Sequence, residues 1–229
     1  MRILLKLSGE ALAGPNKTGF HEETVRGVAL QVKKILDGNQ VEIVIGGGNF
    51  WRGRTSENID RVKADQIGML ATVMNCIYVS EIFRSVGIDT EIMTPFQCSS
   101  FTTLFSKDAA VSALKAGKVV FFAGGTGHPY FSTDMGTVLR AIETEADSVL
   151  LAKSIDGVYD DDPATNPNAR KFDEIALSEV VRMGLKVVDT TASALALENK
   201  MPFMVFDLNE PDSIVNAMTG KFNGTKVYV

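Results

Sequence analysis

Lys6 stands near the end of an apolar run, Arg2-Ile3-Leu4-Leu5-Lys6-Leu7, and Ser8-Gly9-Glu10 follow it. A lysine at the end of a buried strand is costly unless an anion meets it. A phosphoryl group is such an anion: at about 4 Å and an effective dielectric near 20, one charge pair is worth roughly 4 kcal/mol before desolvation. The alternative is a lysine that snorkels from the strand end to water. A second apolar run, Val41-Glu42-Ile43-Val44-Ile45, goes straight into Gly46-Gly47-Gly48. Glycines are entropically expensive to order, but they let bare backbone N–H groups approach a ligand. Between a strand and a helix such a turn is an anion cradle, or else only a tight connection. A third run, Phe121-Phe122-Ala123, ends in Gly124-Gly125-Thr126-Gly127-His128-Pro129, and Phe131-Ser132-Thr133-Asp134 lead into a helix. Ser132, Thr133 and Asp134 can cap that helix, whose N-terminus is itself favourable to anions. Asp134 is equally suited to hold a magnesium ion or to orient a lysine.

The elements that position these groups follow from hydrophobic patterning. Strands are predicted at 2–7, 41–46, 90–94, 118–123, 148–152, 203–207 and 226–229. They are mostly unalternating Val, Ile, Leu and Phe, as expected for strands covered on both faces. Helices are predicted at 22–37, 60–86, 107–116, 133–146, 177–183, 190–199 and 212–218. Alternating strands and helices imply an α/β fold with a mainly parallel central sheet and helices on both sides. In open parallel sheets ligands bind beyond the carboxyl ends of the strands. Three turns there, Lys6–Gly9, Gly46–Gly48 and Gly124–Gly127, imply several phosphates close together: a nucleoside triphosphate and a second phosphorylated substrate. Residues 156–172, with four aspartates, two asparagines and two prolines, read as a long functional loop. The helix at 60–86 is apolar beyond one stripe, which suits a central core helix or one that also meets a second subunit.

Composition narrows the partners. The chain has 229 residues, 45% hydrophobic and 22% charged, with a net charge of −5. That balance disfavours polymeric nucleic acid, which needs a basic face. Two cysteines, Cys76 and Cys98, and two histidines, His21 and His128, suggest neither a disulfide framework nor a zinc site. The N-terminus lacks the long apolar stretch of a signal peptide, and no run of 18 apolar residues suggests a membrane span, so a cytoplasmic protein is expected. The P-loop, dinucleotide, protein-kinase and G-x-S-x-G signatures do not occur.

Four stretches resemble the bacterial uridylate kinases, a branch of the amino acid kinase superfamily. They are Lys6-Leu7-Ser8-Gly9-Glu10, Ile45-Gly46-Gly47-Gly48-Asn49, Gly125 to Asp134, and Asp156-Gly157-Val158-Tyr159-Asp160-Asp161-Asp162-Pro163. Asp65 to Thr72 adds to the third stretch in pointing to the uridylate branch. The resemblance covers nearly the whole chain, in order. It implies one amino acid kinase domain over 1–229, a three-layer α/β/α sandwich of the carbamate kinase-like type, and usually a homohexamer. It implies phosphoryl transfer from ATP to UMP with Mg²⁺, in pyrimidine nucleotide biosynthesis. ATP would be met by Lys6, Leu7, Ser8, Gly9, Gly48, Arg52, Lys153, Tyr159 and Asp162. UMP would be met by Gly47, Asp65, Thr126, Gly127, His128, Pro129, Tyr130, Phe131, Ser132 and Thr133. Lys6, Arg52, Asp134 and Asp189 would form the catalytic set, with Asp189 orienting Lys6, Asp134 near the phosphoryl path and Asp65 on the ribose. No metal-ligating residue set is implied. His128 replaces the usual Asn, and Lys153-Ser154-Ile155 is an uncommon spelling. In many relatives GTP activates through the region matching Gly14–Phe20, whose Asn16-Lys17-Thr18 is unlike the common pattern. The remaining readings are a superfamily kinase acting on a carboxylate or carbamate, and a nucleotide-binding sensor without turnover.

Overall fold

The computed structural model describes residues 1–51 and 58–229. Nine strands form one sheet: β1 (Arg2–Leu7), β2 (Gln40–Ile45), β3 (Thr90–Thr94), β4 (Thr103–Leu104), β5 (Val119–Phe122), β6 (Ser148–Lys153), β9 (Glu174–Ala176), β10 (Phe203–Asp207) and β11 (Gly224–Tyr228). Two short strands, β7 (Val158–Tyr159) and β8 (Lys171–Phe172), pair antiparallel on their own. The sheet order is β4-β3-β5-β2-β1-β6-β10-β11-β9. Every neighbouring pair in it is parallel except β10 with β11. Helices cover both faces. Ile3, Leu5, Leu7, Val41, Ile43 and Ile45 meet α2 (Glu22–Ile35), α3 (Arg61–Ser85) and α8 (Ser213–Thr219) on one side. Leu4, Val44, Val120, Phe122, Val149 and Leu151 meet α4 (Lys107–Lys115), α5 (Thr133–Glu143), α6 (Leu177–Met183) and α7 (Thr190–Glu198) on the other. Because strand side chains alternate between faces, Lys6 shares its face with Leu4 and points toward α5 and α7. The remaining helix, α1 (Gly9–Ala13), follows β1 directly.

Helix α1 and strands β4 and β9 lie where the patterning marks no element, and two predicted segments end differently. The segment 156–172 contains the β7–β8 pair, whose two-residue strands are too short to show a period. Helix α5 stops at Glu143 rather than 146: the Thr144 hydroxyl turns back to the Arg140 carbonyl, and Glu145 takes a positive φ of 59° that ends the helix. Helix α3 is apolar beyond one stripe, as the patterning predicts, and by length and composition alone it could cross a membrane. Here Ala71, Val73, Cys76, Val79 and Phe83 are buried beneath it in the core, while Leu70 and Met74 stay about half exposed.

Two buried positions among the described residues are charged by type, Glu42 and Arg140, and Arg140 pairs with Glu143. Glu42 on β2 is fully buried; its Oε2 accepts a bond from the Thr144 hydroxyl at 2.9 Å and its Oε1 has no partner. Burial raises its pKa to about 8, against the smaller opposing pulls of the Thr144 bond and the Arg2 charge. The folded state therefore holds this proton where the unfolded chain, near pKa 4.5, has lost it. Stability from this group falls as pH rises from about 4.5 toward 8, by on the order of 4 kcal/mol in all. Glu42→Gln is expected to flatten that slope and raise Tm at pH 8 relative to the unaltered chain. Thermal unfolding at pH 5, 6.5 and 8 tests this, and parallel curves for the two proteins would refute it.

Candidate active site

The carboxyl ends of β5, β2 and β1 are adjacent in the sheet, so their three glycine-rich turns converge. They line a cavity of about 360 Å³ together with Lys6, Ser8, Glu10, Asp65, Asp134 and Asp189. Gly9 shows how closely the first two turns pack. A Cβ there would fall within 2.5 Å of Asn49 Oδ1 and closer still to the Gly46 carbonyl oxygen. The third turn bends through Gly124, Gly125 and Gly127, all at positive φ, a conformation that strains any residue with a Cβ. Thr72 of α3 pins it, its hydroxyl accepting from the Gly124 N–H at 2.8 Å and donating to the Met69 carbonyl.

Lys6 Nζ lies 3.1 Å from Asp134 Oδ1, and both side chains are largely buried. Asp134 sits in the first turn of α5, where Ser132 accepts from the Met135 N–H as the cap. Asp189, which the resemblance has orienting Lys6, lines the same cavity. It caps α7 by accepting from the Ala192 N–H, and its other oxygen takes the Ser132 hydroxyl. The carboxylate that orients Lys6 in this structure is thus Asp134, while Asp189 fixes Ser132 and joins the starts of α5 and α7. Asp134 lies in the first turn of a helix whose start faces β1.

Asp65, in the second turn of α3, lines the same cavity. Its Oδ2 accepts from Arg61 Nε and from the Tyr130 N–H, each at 2.8 Å. Tyr130 has a φ of +72°, and the Arg61 guanidinium lies 5.3 Å from its ring centroid. One carboxylate oxygen thus anchors the 126–131 loop. Thr126, His128, Phe131, Ser132 and Thr133 reach the cavity wall with Gly47 and Gly48; Gly127, Pro129 and Tyr130 belong to the same loop but not to the wall. Trp51, Arg61, Ala64, Gly68, Met69 and Thr72 complete the lining. Sequence reasoning gave Trp51 and Arg61 no role, although Trp51 is the chain's single tryptophan, three residues after the glycine triplet. Arg52 lies outside the described residues.

A second cavity, about 450 Å³, opens beside the end of β6. Lys153, Tyr159 and Asp162 line it with Met183 to Val187. That last stretch reads in sequence as ordinary core and loop, so nothing short of the fold marks it. The Tyr159 hydroxyl donates to Asp156 Oδ1, and Asp162 Oδ1 accepts from the Ala164 N–H. Lys153 Nζ donates to the Val187 carbonyl. Burial lowers the pKa of this ammonium; nearby Asp134 pulls it back up and Lys6 pushes it down again. Lys153 is thereby electrostatically joined to the Lys6–Asp134 pair at the edge of the first cavity. Leu7 lies in the core beneath the Ser8–Gly9 turn.

Among the described residues no group of three or more His, Cys, Asp or Glu side chains is arranged to hold a metal ion. The arrangement offers Lys6 and Arg61 at the first cavity and Lys153 and Lys186 at the second, with the backbone turns converging on the first. Such a site suits two phosphorylated ligands.

Comparison with known proteins agrees. The amino acid kinase family matches residues 1–207. A UMP kinase from Ureaplasma parvum has 34% identity and a TM-score of 0.96, with 100% of this chain and 99% of that chain covered. A UMP kinase from Bacillus anthracis has 36% identity and a TM-score of 0.95, with 99% and 95% covered. A uridylate kinase from Archaeoglobus fulgidus, at 24% identity and a TM-score of 0.78, covering 99% of this chain and 100% of that chain, shares the fold. On the extent of these matches, the chain belongs to the amino acid kinase family.

Proposed function

We propose that this chain is a UMP kinase, transferring the γ-phosphoryl group of ATP to UMP to give UDP and ADP. The observation that carries the reading is the convergence of three glycine-rich turns, Lys6 and Asp65 on one cavity, beside a second cavity at Lys153. UMP takes the first cavity, its ribose at Asp65 and its base and phosphate along Gly47 and the Thr126–Thr133 loop. The ATP base and ribose take the second, near Tyr159 and Asp162, with the phosphates reaching Ser8, Gly9, Gly48, Arg52 and Lys153. The whole chain, 1–229, acts as one catalytic domain.

The chemistry needs little from the protein beyond placement and charge. The UMP phosphate is already anionic, so no general base is required. The glycine turns let two polyanions approach end to end, which is the in-line geometry of transfer. Lys6, held by Asp134, stabilises charge on the transferred group, and the backbone N–H groups add to that field. With no carboxylate cage among the described residues, Mg²⁺ enters as part of the Mg·ATP substrate and neutralises phosphate charge there. The exposed apolar side of α3, with Leu70 and Met74, supports assembly into the homohexamer, and GTP acting near Gly14–Phe20 is part of the same proposal. The setting is cytoplasmic pyrimidine nucleotide synthesis.

The test is an ADP-release assay with Mg·ATP and UMP, CMP, dUMP, AMP and small carboxylates as acceptors. Turnover confined to UMP is expected; turnover on a carboxylate, or none, would overturn the reading. In the same assay Asp65→Ala is expected to raise KM for UMP about tenfold or more, the size of one charge-assisted hydrogen bond, with KM for ATP little changed. Equal effects on both substrates would remove Asp65 from the ribose.

A further inference from the structure

The glycine triplet has to hold its shape while two anions pull on it, and glycine gives it no side chains to hold with. The support comes from Asn49, which ends the turn, and Asn75, nearly three turns along α3 beyond Asp65. Both are buried. Asn75 Nδ2 donates to the Gly46 carbonyl and to Asn49 Oδ1, each at 2.8 Å. Asn49 Nδ2 donates to Asn75 Oδ1 at 2.9 Å and to the Gly19 carbonyl at 2.8 Å. The Gly19 N–H returns a bond to the Asn49 carbonyl. All four amide protons of the pair are therefore spent, and no exchange of oxygen for nitrogen in either amide would keep these bonds.

The same pair touches the other cradle. The Cβ missing from Gly9 would collide with Gly46 O and Asn49 Oδ1, so the Ser8–Gly9 turn rests directly on the atoms that Asn75 fixes. On the outer side Phe20, next to Gly19, stacks on Tyr78 of α3 at 3.9 Å between centroids and meets Phe50 edge-on at 5.3 Å. Asn49 thus touches the two phosphate-facing turns, helix α3 and the 14–20 segment.

We propose that the Asn49–Asn75 amide pair is the positioning element that sets the spacing of the two phosphate-cradling turns and couples that spacing to the 14–20 segment. The proposal rests on the phosphate-site reading above and adds two residues that touch no substrate. It requires donors, not merely volume, at position 49. Asn49→Asp keeps the shape but presents a second acceptor to two carbonyl oxygens, which repel it when ionised. A carboxyl buried there has a raised pKa, and once protonated it can donate one bond again.

Asn49→Asp is therefore expected to lose at least tenfold in kcat/KM for ATP at pH 8.5 and to recover to within about threefold of the unaltered enzyme at pH 6. The charged and titratable groups around the pair are Glu10 and Lys17, which border the adjoining cavity with Asn49, and Cys76 and Tyr78 on α3. All are unchanged in the variant, so the parent's own pH profile controls for them. Kd for Mg·ATP from isothermal titration, with no acceptor present, is expected to show the same loss and recovery. That readout separates the proposal from the choice of acceptor, because it holds even if UMP is not phosphorylated. A constant ratio of variant to parent across pH would overturn the positioning role. A second measurement uses only the unaltered protein, should the variant fail to fold: Mg·ATP is expected to slow amide hydrogen exchange in residues 14–20. Unchanged exchange there would overturn the coupling.

Discussion

Lys6→Ala is expected to lower kcat by 10²-fold or more, about 2.7 kcal/mol in activation free energy, with a smaller change in KM for UMP. The lysine ends a core strand, shares its face with α5 and α7, and is held at 3.1 Å by Asp134. A group so fixed offers its charge without reorganising when charge develops, which is where electrostatic catalysis gains most. Removing it also leaves Asp134 as an unpaired carboxylate facing two incoming polyanions. Single-turnover rates with saturating Mg·ATP and UMP separate the chemical step from binding. An unchanged rate would take Lys6 out of the transfer. Lys6→Arg is expected to recover little, because the planar guanidinium cannot occupy the same point beside Asp134.

Gly9→Ala carries the second large effect, and its cause is steric. The added methyl has no free space, since the Gly46 carbonyl and the Asn49 amide already occupy it. Backbone cannot yield as a flexible side-chain end would, so the first two turns must move apart. The expected result is at least a 10²-fold loss in kcat/KM for both substrates, because in the proposed arrangement both lie against those turns. Misplacement of reacting groups by about 1 Å is enough for losses of this size. Gly27→Ala on α2, where nothing lies within 4 Å of the added atom, is the matched control and should leave activity unchanged. If Gly9→Ala keeps full activity, the two turns are not held in contact in solution.

Much of this was readable from residue order. The core strands run as continuous Val, Ile, Leu and Phe because both faces are covered, and that pattern located β1, β2, β3, β5, β6 and β10 closely. The glycine turns were visible because glycine has few other reasons to cluster after an apolar strand. What could not be read was pairing. Asp134 and Asp189 are both carboxylates beside a helix start, and only the packing of α5 against β1 shows which one faces Lys6. Met183 to Val187 look like core because Leu185 and Val187 are apolar, yet they wall a cavity. Asn75 sits in a hydrophobic helix with no local sign that its amide supports a turn 29 residues away in sequence. Glu42 interrupts an otherwise apolar strand, and its isolation in the core depends on neighbours from α5.

The two cavities share no lining residue: one is walled by the turns, α3 and α5, the other by the end of β6, the 157–163 stretch and Met183 to Val187. In the proposed arrangement UMP and the ATP base thus have separate doorways, and only the ATP phosphates reach into the cavity that holds UMP. No compulsory queue follows from such a layout. Either nucleotide can arrive first, either product can depart first, and a mismatched couple such as ADP with UMP can lodge together as an abortive complex.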